Sequence, residues 1–101
     1  MDTKKQFIES IEARLKILDA RLQELSAEAE RVRAEAKVEL ERQIAKLLAN
    51  REEAKRTLDE LKGKSEEAWV DLKDGMEKAW KELKTGIDNA VSKLKSRKQE
   101  P

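Results

Sequence analysis

The sequence predicts an all-α protein, a long helical hairpin or coiled coil in one domain spanning residues 1–101. Charged residues make up 45% of the chain and aromatic residues only 3%, and Ala, Glu, Lys, Leu and Arg dominate, as in coiled coils and long helices. The single proline is the last residue, so no obligatory helix stop occurs inside the chain. Apolar residues recur at helical spacing, which distinguishes the chain from a disordered polyelectrolyte.

The first predicted helix covers about residues 3–62 and begins with a heptad repeat. Its apolar residues alternate steps of four and three, the pattern of a left-handed coiled coil. This heptad seam consists of Ile11, Leu15, Leu18, Leu22, Leu25, Ala29 and Val32, and it continues to Ala36. After Ala36 an extra four-residue step makes a stutter, which locally unwinds a supercoil. A break at Ser26 would cut the seam, so we expect the helix to be continuous.

The predicted turn lies at residues 63–64. Gly63 suits the position just after a helix C-terminus, where positive φ is common. Ser65 can cap the next helix, whose first turn then carries two glutamates against the positive end of the helix dipole. Asn50 begins a rival N-x-x-E capping box and ranks second, because no glycine precedes it.

The second predicted helix covers about residues 65–97 and consists of three consecutive 11-residue repeats, SEEAWVDLKDG, MEKAWKELKTG and IDNAVSKLKSR. Eleven residues make three helical turns, so each repeat presents the same face and the periodicity changes from heptad to hendecad. The expected hairpin core comprises Leu47, Leu58, Trp69, Leu72, Trp80, Leu83, Val91 and Leu94. Gly75 and Gly86 share one position of the repeat. Two explanations remain open for them: they allow close helix packing, or the helix tolerates them without a packing role.

Such a hairpin leaves part of the heptad seam uncovered, because the second helix ends opposite about residue 30. An isolated amphipathic helix is marginal in water. We therefore expect a homo-oligomer, with a dimer favoured, or binding to another helical protein. Antiparallel pairing of two chains would lay residues 3–30 of one on residues 35–62 of the other and form a three-helix bundle at each end.

The composition excludes most catalytic chemistry. The chain has no His and no Cys, so Ser–His–Asp and Cys–His arrangements and the usual zinc sites are impossible. We expect the carboxylates on solvated helix faces, some in i,i+4 ion pairs such as Asp74–Lys78 and Glu77–Lys81. The 23 basic and 22 acidic residues nearly cancel without a basic block, which argues against nucleic-acid binding. The sequence predicts no enzyme activity, no cofactor and no metal site.

The pattern S-E-x-A-W-x-x-L-K-x-G-x-E-x-A-W-x-E-L-K at residues 65–84 follows a charged heptad helix. In this combination the chain resembles, over essentially its whole length, small bacterial coiled-coil proteins of uncharacterised function. The 11-residue repeats resemble, more weakly, those of exchangeable apolipoproteins and of group 3 late-embryogenesis-abundant proteins. No functional residue follows from these resemblances, since the nearest family offers none.

The function that the sequence favours is that of a self-associating coiled-coil scaffold or adaptor acting through protein–protein contacts. The alternative is a reversible lipid-surface binder, apolipoprotein-like, that uses the face of residues 65–97. A membrane surface is the less expected partner, because the lysines of the repeat line only one flank, whereas membrane-surface helices carry them along the polar face. Neither a secretion signal nor a membrane-spanning stretch is visible, so a soluble cytoplasmic protein is expected.

Overall fold

The computed structural model describes residues 3–99, with the side chains of residues 3–95, and folds them into three helices. Helix α1 spans Thr3–Ala29, α2 spans Ala34–Lys62 and α3 spans Trp69–Gln99. They run up, down and up in a bundle with principal-axis extents of 55 × 19 × 17 Å. The all-α prediction and the elongated helical form are confirmed.

The structure corrects the first predicted helix, because the helix expected over residues 3–62 is interrupted at residues 30–33. Arg33 adopts an extended conformation, with φ −61° and ψ 151°, and its side chain makes no capping hydrogen bond. The reversal lets α1 fold back onto α2 and α3, which buries Leu18, Leu22 and Leu25. Each such burial contributes about 1.5–3 kcal/mol, which outweighs the few helical hydrogen bonds that a short turn forfeits.

The second turn lies where the sequence places it, at the end of α2. Gly63 has φ −80°, not the positive value that the residue type permits, and its N–H donates to the carbonyls of Asp59 and Glu60. The Ser65 hydroxyl accepts a hydrogen bond of 3.2 Å from the Ala68 N–H, as an N-cap residue does. A turn occupies residues 66–68, so α3 begins four residues later than expected.

The core runs along the bundle axis as two clusters, each built from all three helices. The cluster nearer the 30–33 turn contains Leu18, Leu22, Leu25, Ala29, Leu40, Ile44, Leu47, Leu83, Ile87, Ala90 and Leu94. The cluster nearer the 63–68 turn contains Ile11, Ala54, Leu58, Leu61, Trp69 and Met76. The apolar face of every helix is therefore buried inside one chain.

The two glycines of the 11-residue repeat have different surroundings. A Cβ built on Gly86 would lie 2.5 Å from Cδ2 of Leu47 on α2. A Cβ built on Gly75 would meet nothing within 4 Å. Close packing therefore explains Gly86, and simple tolerance explains Gly75.

This contrast predicts opposite effects of the same substitution. Gly75→Ala should stabilise the fold by about 0.5–1 kcal/mol, because Ala is the better helix former and the site is open. Gly86→Ala should destabilise it by about 1–3 kcal/mol, because the Leu47 side chain must move. Urea unfolding followed by circular dichroism measures both values. Equal stabilisation by the two variants would contradict the close approach at Gly86.

Candidate interaction surfaces

The predicted self-association seam is covered by α2 and α3 of the same chain. Its members Ile11, Leu18, Leu22, Leu25 and Ala29 are buried, and Leu15 and Val32 are partly buried against the core clusters. The prediction that the seam needs a second chain depends on residues 34–62 continuing in line with α1. They instead fold back against it, so the predicted dimer loses the argument that supported it.

The residues expected in the hairpin core lie on the inner faces of α2 and α3. Those that are buried are Leu47, Leu58, Trp69, Leu83 and Leu94, and those that are partly buried are Leu72, Trp80 and Val91. Sequence reasoning missed Met76 and Ile87, which are fully buried. The 11-residue repeat could have indicated their burial, since Met76 and Ile87 are the first residues of its second and third units.

The two tryptophans occupy different positions relative to the core. Trp69 is 6% exposed, and its ring centroid lies 5.6 Å from that of Phe7 on α1. Trp80 is half-buried, and the Arg14 guanidinium lies 4.9 Å from its ring centroid, close enough for a cation–π interaction. Its Nε1 is buried and has no hydrogen-bond partner among the described residues.

Ion pairs fix the position of α1 against both other helices. Arg51 on α2 binds Asp19 through two hydrogen bonds, Nε to Oδ1 at 2.7 Å and Nη2 to Oδ2 at 3.0 Å. These bonds to Asp19 and one to Glu52 raise the pKa of Arg51. Further pairs are Lys62–Glu12, at 2.9 Å, and Arg21–Asp88. Partly exposed pairs contribute at most about 1 kcal/mol each, so they specify register more than stability.

Asp88 provides a pH-dependent link between α1 and α3. The hydrogen bonds from Arg21 and then Lys84 hold the pKa of Asp88 below its ordinary value of 3.8. The ionised carboxylate therefore stabilises the fold at pH values above 3.8, and this contribution is lost as the pH falls through the lower value of the folded state.

Asp88→Asn should accordingly lower the melting temperature near neutral pH and have a diminishing effect in acid. The reason is that wild-type Asp88 becomes neutral there, like the asparagine. Thermal unfolding of both proteins at a series of pH values measures the difference. Asp74→Asn is the control, because Asp74 makes no ion pair among the described side chains. A difference that persists undiminished in strong acid would contradict the assignment.

A groove of about 1040 Å³ runs along the bundle between α2 and α3, and its described lining residues all belong to those two helices. Its apolar floor is formed by Leu47, Gly86 and Ala90. Its rim carries Lys46, Asp74, Glu77, Lys78, Lys81 and Glu82. Among the side chains of residues 3–95, none of these six forms an ion pair. The expected pairs Asp74–Lys78 and Glu77–Lys81 are thus not formed, and the rim presents unpaired charges of both signs.

The remaining surface has few apolar features. Ile17, Val38, Leu48 and Val70 are exposed, but they are dispersed over the three helices, and isolated exposed apolar side chains are common. Within residues 3–99, no acidic side chains are grouped as a metal site would require. No helix in the same stretch combines the length and apolarity needed to cross a membrane.

Comparison with known proteins identifies no relative. No protein-family model matches the chain, and neither the curated proteins nor the solved structures contain a significant match.

Proposed function

We propose that this chain is a structural interaction protein, a helical scaffold or adaptor that acts through helix–helix contacts. Its partner is a second copy of the chain or another helical protein. The observation that carries the proposal is the groove between α2 and α3, with its apolar floor and six rim charges that form no ion pair with any side chain of residues 3–95.

The shape of the groove favours a helix as its occupant. A helix laid between two antiparallel helices extends the bundle by one member, and an amphipathic helix in an apolar groove is a recurring mode of recognition. The space beside Gly86 is filled by Leu47, and Ala90 is 1% exposed, so the charged rim supplies most of the contact with an incoming helix. The preferred partner face therefore carries both acidic and basic side chains.

Charge reversal on the rim tests this proposal. In Lys78→Glu/Lys81→Glu, acidic groups replace two of the unpaired lysines, so binding of a helix matched to the wild-type rim should weaken. Lys5→Glu/Lys16→Glu is the matched control, since these exposed lysines lie on α1 away from the groove. Capture from an extract of the native host, quantified by mass spectrometry, should recover one helical partner with wild type and control only. Equal recovery by the rim variant would exclude the groove.

Binding to a lipid surface ranks second. Met76, Leu83 and Ile87 on the apolar face of α3 are fully buried, so this face can reach lipid only after the bundle opens.

A further inference from the structure

We infer that the turn at residues 30–33 can straighten, so that two chains exchange α1 and form an antiparallel dimer. This inference goes beyond the proposed function, because the exchanged α1 does not occupy the groove between α2 and α3. It names a second copy of the chain as a partner and the turn at residues 30–33 as the hinge that controls association. In this dimer, α1 of each chain packs on α2 and α3 of the other.

The sequence of the hinge lacks the usual signals for ending a helix. Residues 30–33 read Glu-Arg-Val-Arg, without Gly or Pro. Arg33, the residue before α2, makes no side-chain capping bond, and no described residue has a positive φ. By contrast, the turn after α2 has Gly63 at its start and the Ser65 cap.

The heptad seam also runs through the hinge without a change of phase. Ala29, Val32 and Ala36 are spaced by three and four residues, as in the preceding heptads. A straight helix through this segment would therefore keep one continuous apolar stripe. It would span residues 3–62 and measure about 90 Å.

Exchange preserves the contacts that hold α1 in place. The pairs Asp19–Arg51, Glu12–Lys62 and Arg21–Asp88 would form between chains instead of within one, and α1 would bury the same residues. The monomer and the exchanged dimer then differ in the conformation of residues 30–33, in the Glu30–Lys37 contact across this turn and in the entropy of association. Exchange of an identical element is a low-cost route to a dimer, and its extent depends on protein concentration.

One ion pair is present only in the closed form, the monomer in which the turn at residues 30–33 is bent. Lys37 Nζ lies 3.0 Å from Glu30 Oε2 across the turn, and this hydrogen bond raises the pKa of Lys37. In a straight helix these residues lie about 10.5 Å apart along the axis, which separates the two groups. Lys37 also pairs with Glu41 at 3.8 Å, with i,i+4 spacing inside α2, and that pair persists in both forms.

Isotope-mixed cross-linking tests the exchange directly. Unlabelled and ¹⁵N-labelled chains are refolded together from urea at high protein concentration, and the dimer fraction is treated with a carbodiimide, which joins Glu12 to Lys62 where they form an ion pair. We expect cross-links between light and heavy chains in the dimer and only within-chain cross-links in the monomer fraction.

Two other outcomes would each overturn the exchange. A dimer with only within-chain Glu12–Lys62 cross-links associates through another surface, which leaves the proposed function intact. A chain that stays monomeric at every concentration excludes the dimer but not binding to another helical protein, which the capture experiment tests separately.

Hinge variants add a second test. Ala34→Pro fits the closed form, because Pro is favoured at the first helical position and the extended Arg33 suits the residue before it. Inside a straight helix it would clash with the preceding turn, so we expect more than about a hundredfold loss of dimer. Glu30→Gln should raise the dimer fraction by removing the closed-form ion pair, and the control Glu41→Gln should leave it unchanged. If Ala34→Pro formed as much dimer as the wild type, the proposal that the turn at residues 30–33 straightens would be wrong.

Discussion

Leu22→Asp is expected to unfold the chain near neutral pH. Leu22 is 3% exposed and belongs to the cluster that α1 forms with α2 and α3. An unpaired carboxylate at this site costs about 4 kcal/mol or more, a large part of the 5–15 kcal/mol that stabilises a typical domain. Circular dichroism in buffer should show loss of helix or a greatly lowered urea midpoint. Exchange of α1 between chains would not rescue the variant, because the dimer buries the same residue.

Ile17→Asp is the matched control on the same helix. Ile17 is 62% exposed, so the new carboxylate stays in water and stability should change by no more than about 0.5 kcal/mol. An intact Leu22→Asp protein, or an equal loss in both variants, would mean that α2 and α3 do not cover the seam of α1.

Trp69→Ala should give the second largest loss, about 3–5 kcal/mol, which is typical of removing a large buried aromatic side chain. It would leave a cavity beside Phe7 at the end of the bundle where α1 and α3 begin. Trp80→Ala should cost less, because Trp80 is half-buried and its ring faces the guanidinium of the exposed Arg14.

Urea unfolding of the two variants measures this order, and each retains one tryptophan as a fluorescent probe. In Trp80→Ala the remaining Trp69 should emit at short wavelength in the folded state, since its environment is apolar. A larger loss in Trp80→Ala than in Trp69→Ala would contradict the burial that the structure assigns to the two rings.

Repeats and capping residues made much of the fold predictable from the sequence. The 11-residue repeat identified α3 and its inner face, because its period repeats one helical face. Gly63 and Ser65 located the second turn, since each residue type has a specific role at a helix end.

The turn at residues 30–33 could not be predicted, because its local sequence favours a helix. Glu, Arg and Ala are good helix formers, and Val32 continues the heptad seam. The reversal is stabilised by the burial of α1 against two distant segments, a tertiary effect that no local pattern reports. The groove was missed for the same reason, since it depends on how α2 and α3 pack and on which rim charges pair.

The distance between the two ends of the segment 3–62 is the most direct test of the three-helix bundle. The chain has no cysteine, so Lys5→Cys and Glu60→Cys allow two nitroxide labels to be placed specifically. Pulsed electron paramagnetic resonance should be recorded on labelled chains diluted with excess unlabelled protein at low concentration, so that distances within one monomer are measured. The bundle places Lys4 Nζ 3.1 Å from the Lys62 carbonyl oxygen, so we predict a label distance comparable with the 19 Å width of the bundle. A distance near the roughly 83 Å of a continuous helix between these positions would contradict the fold described here.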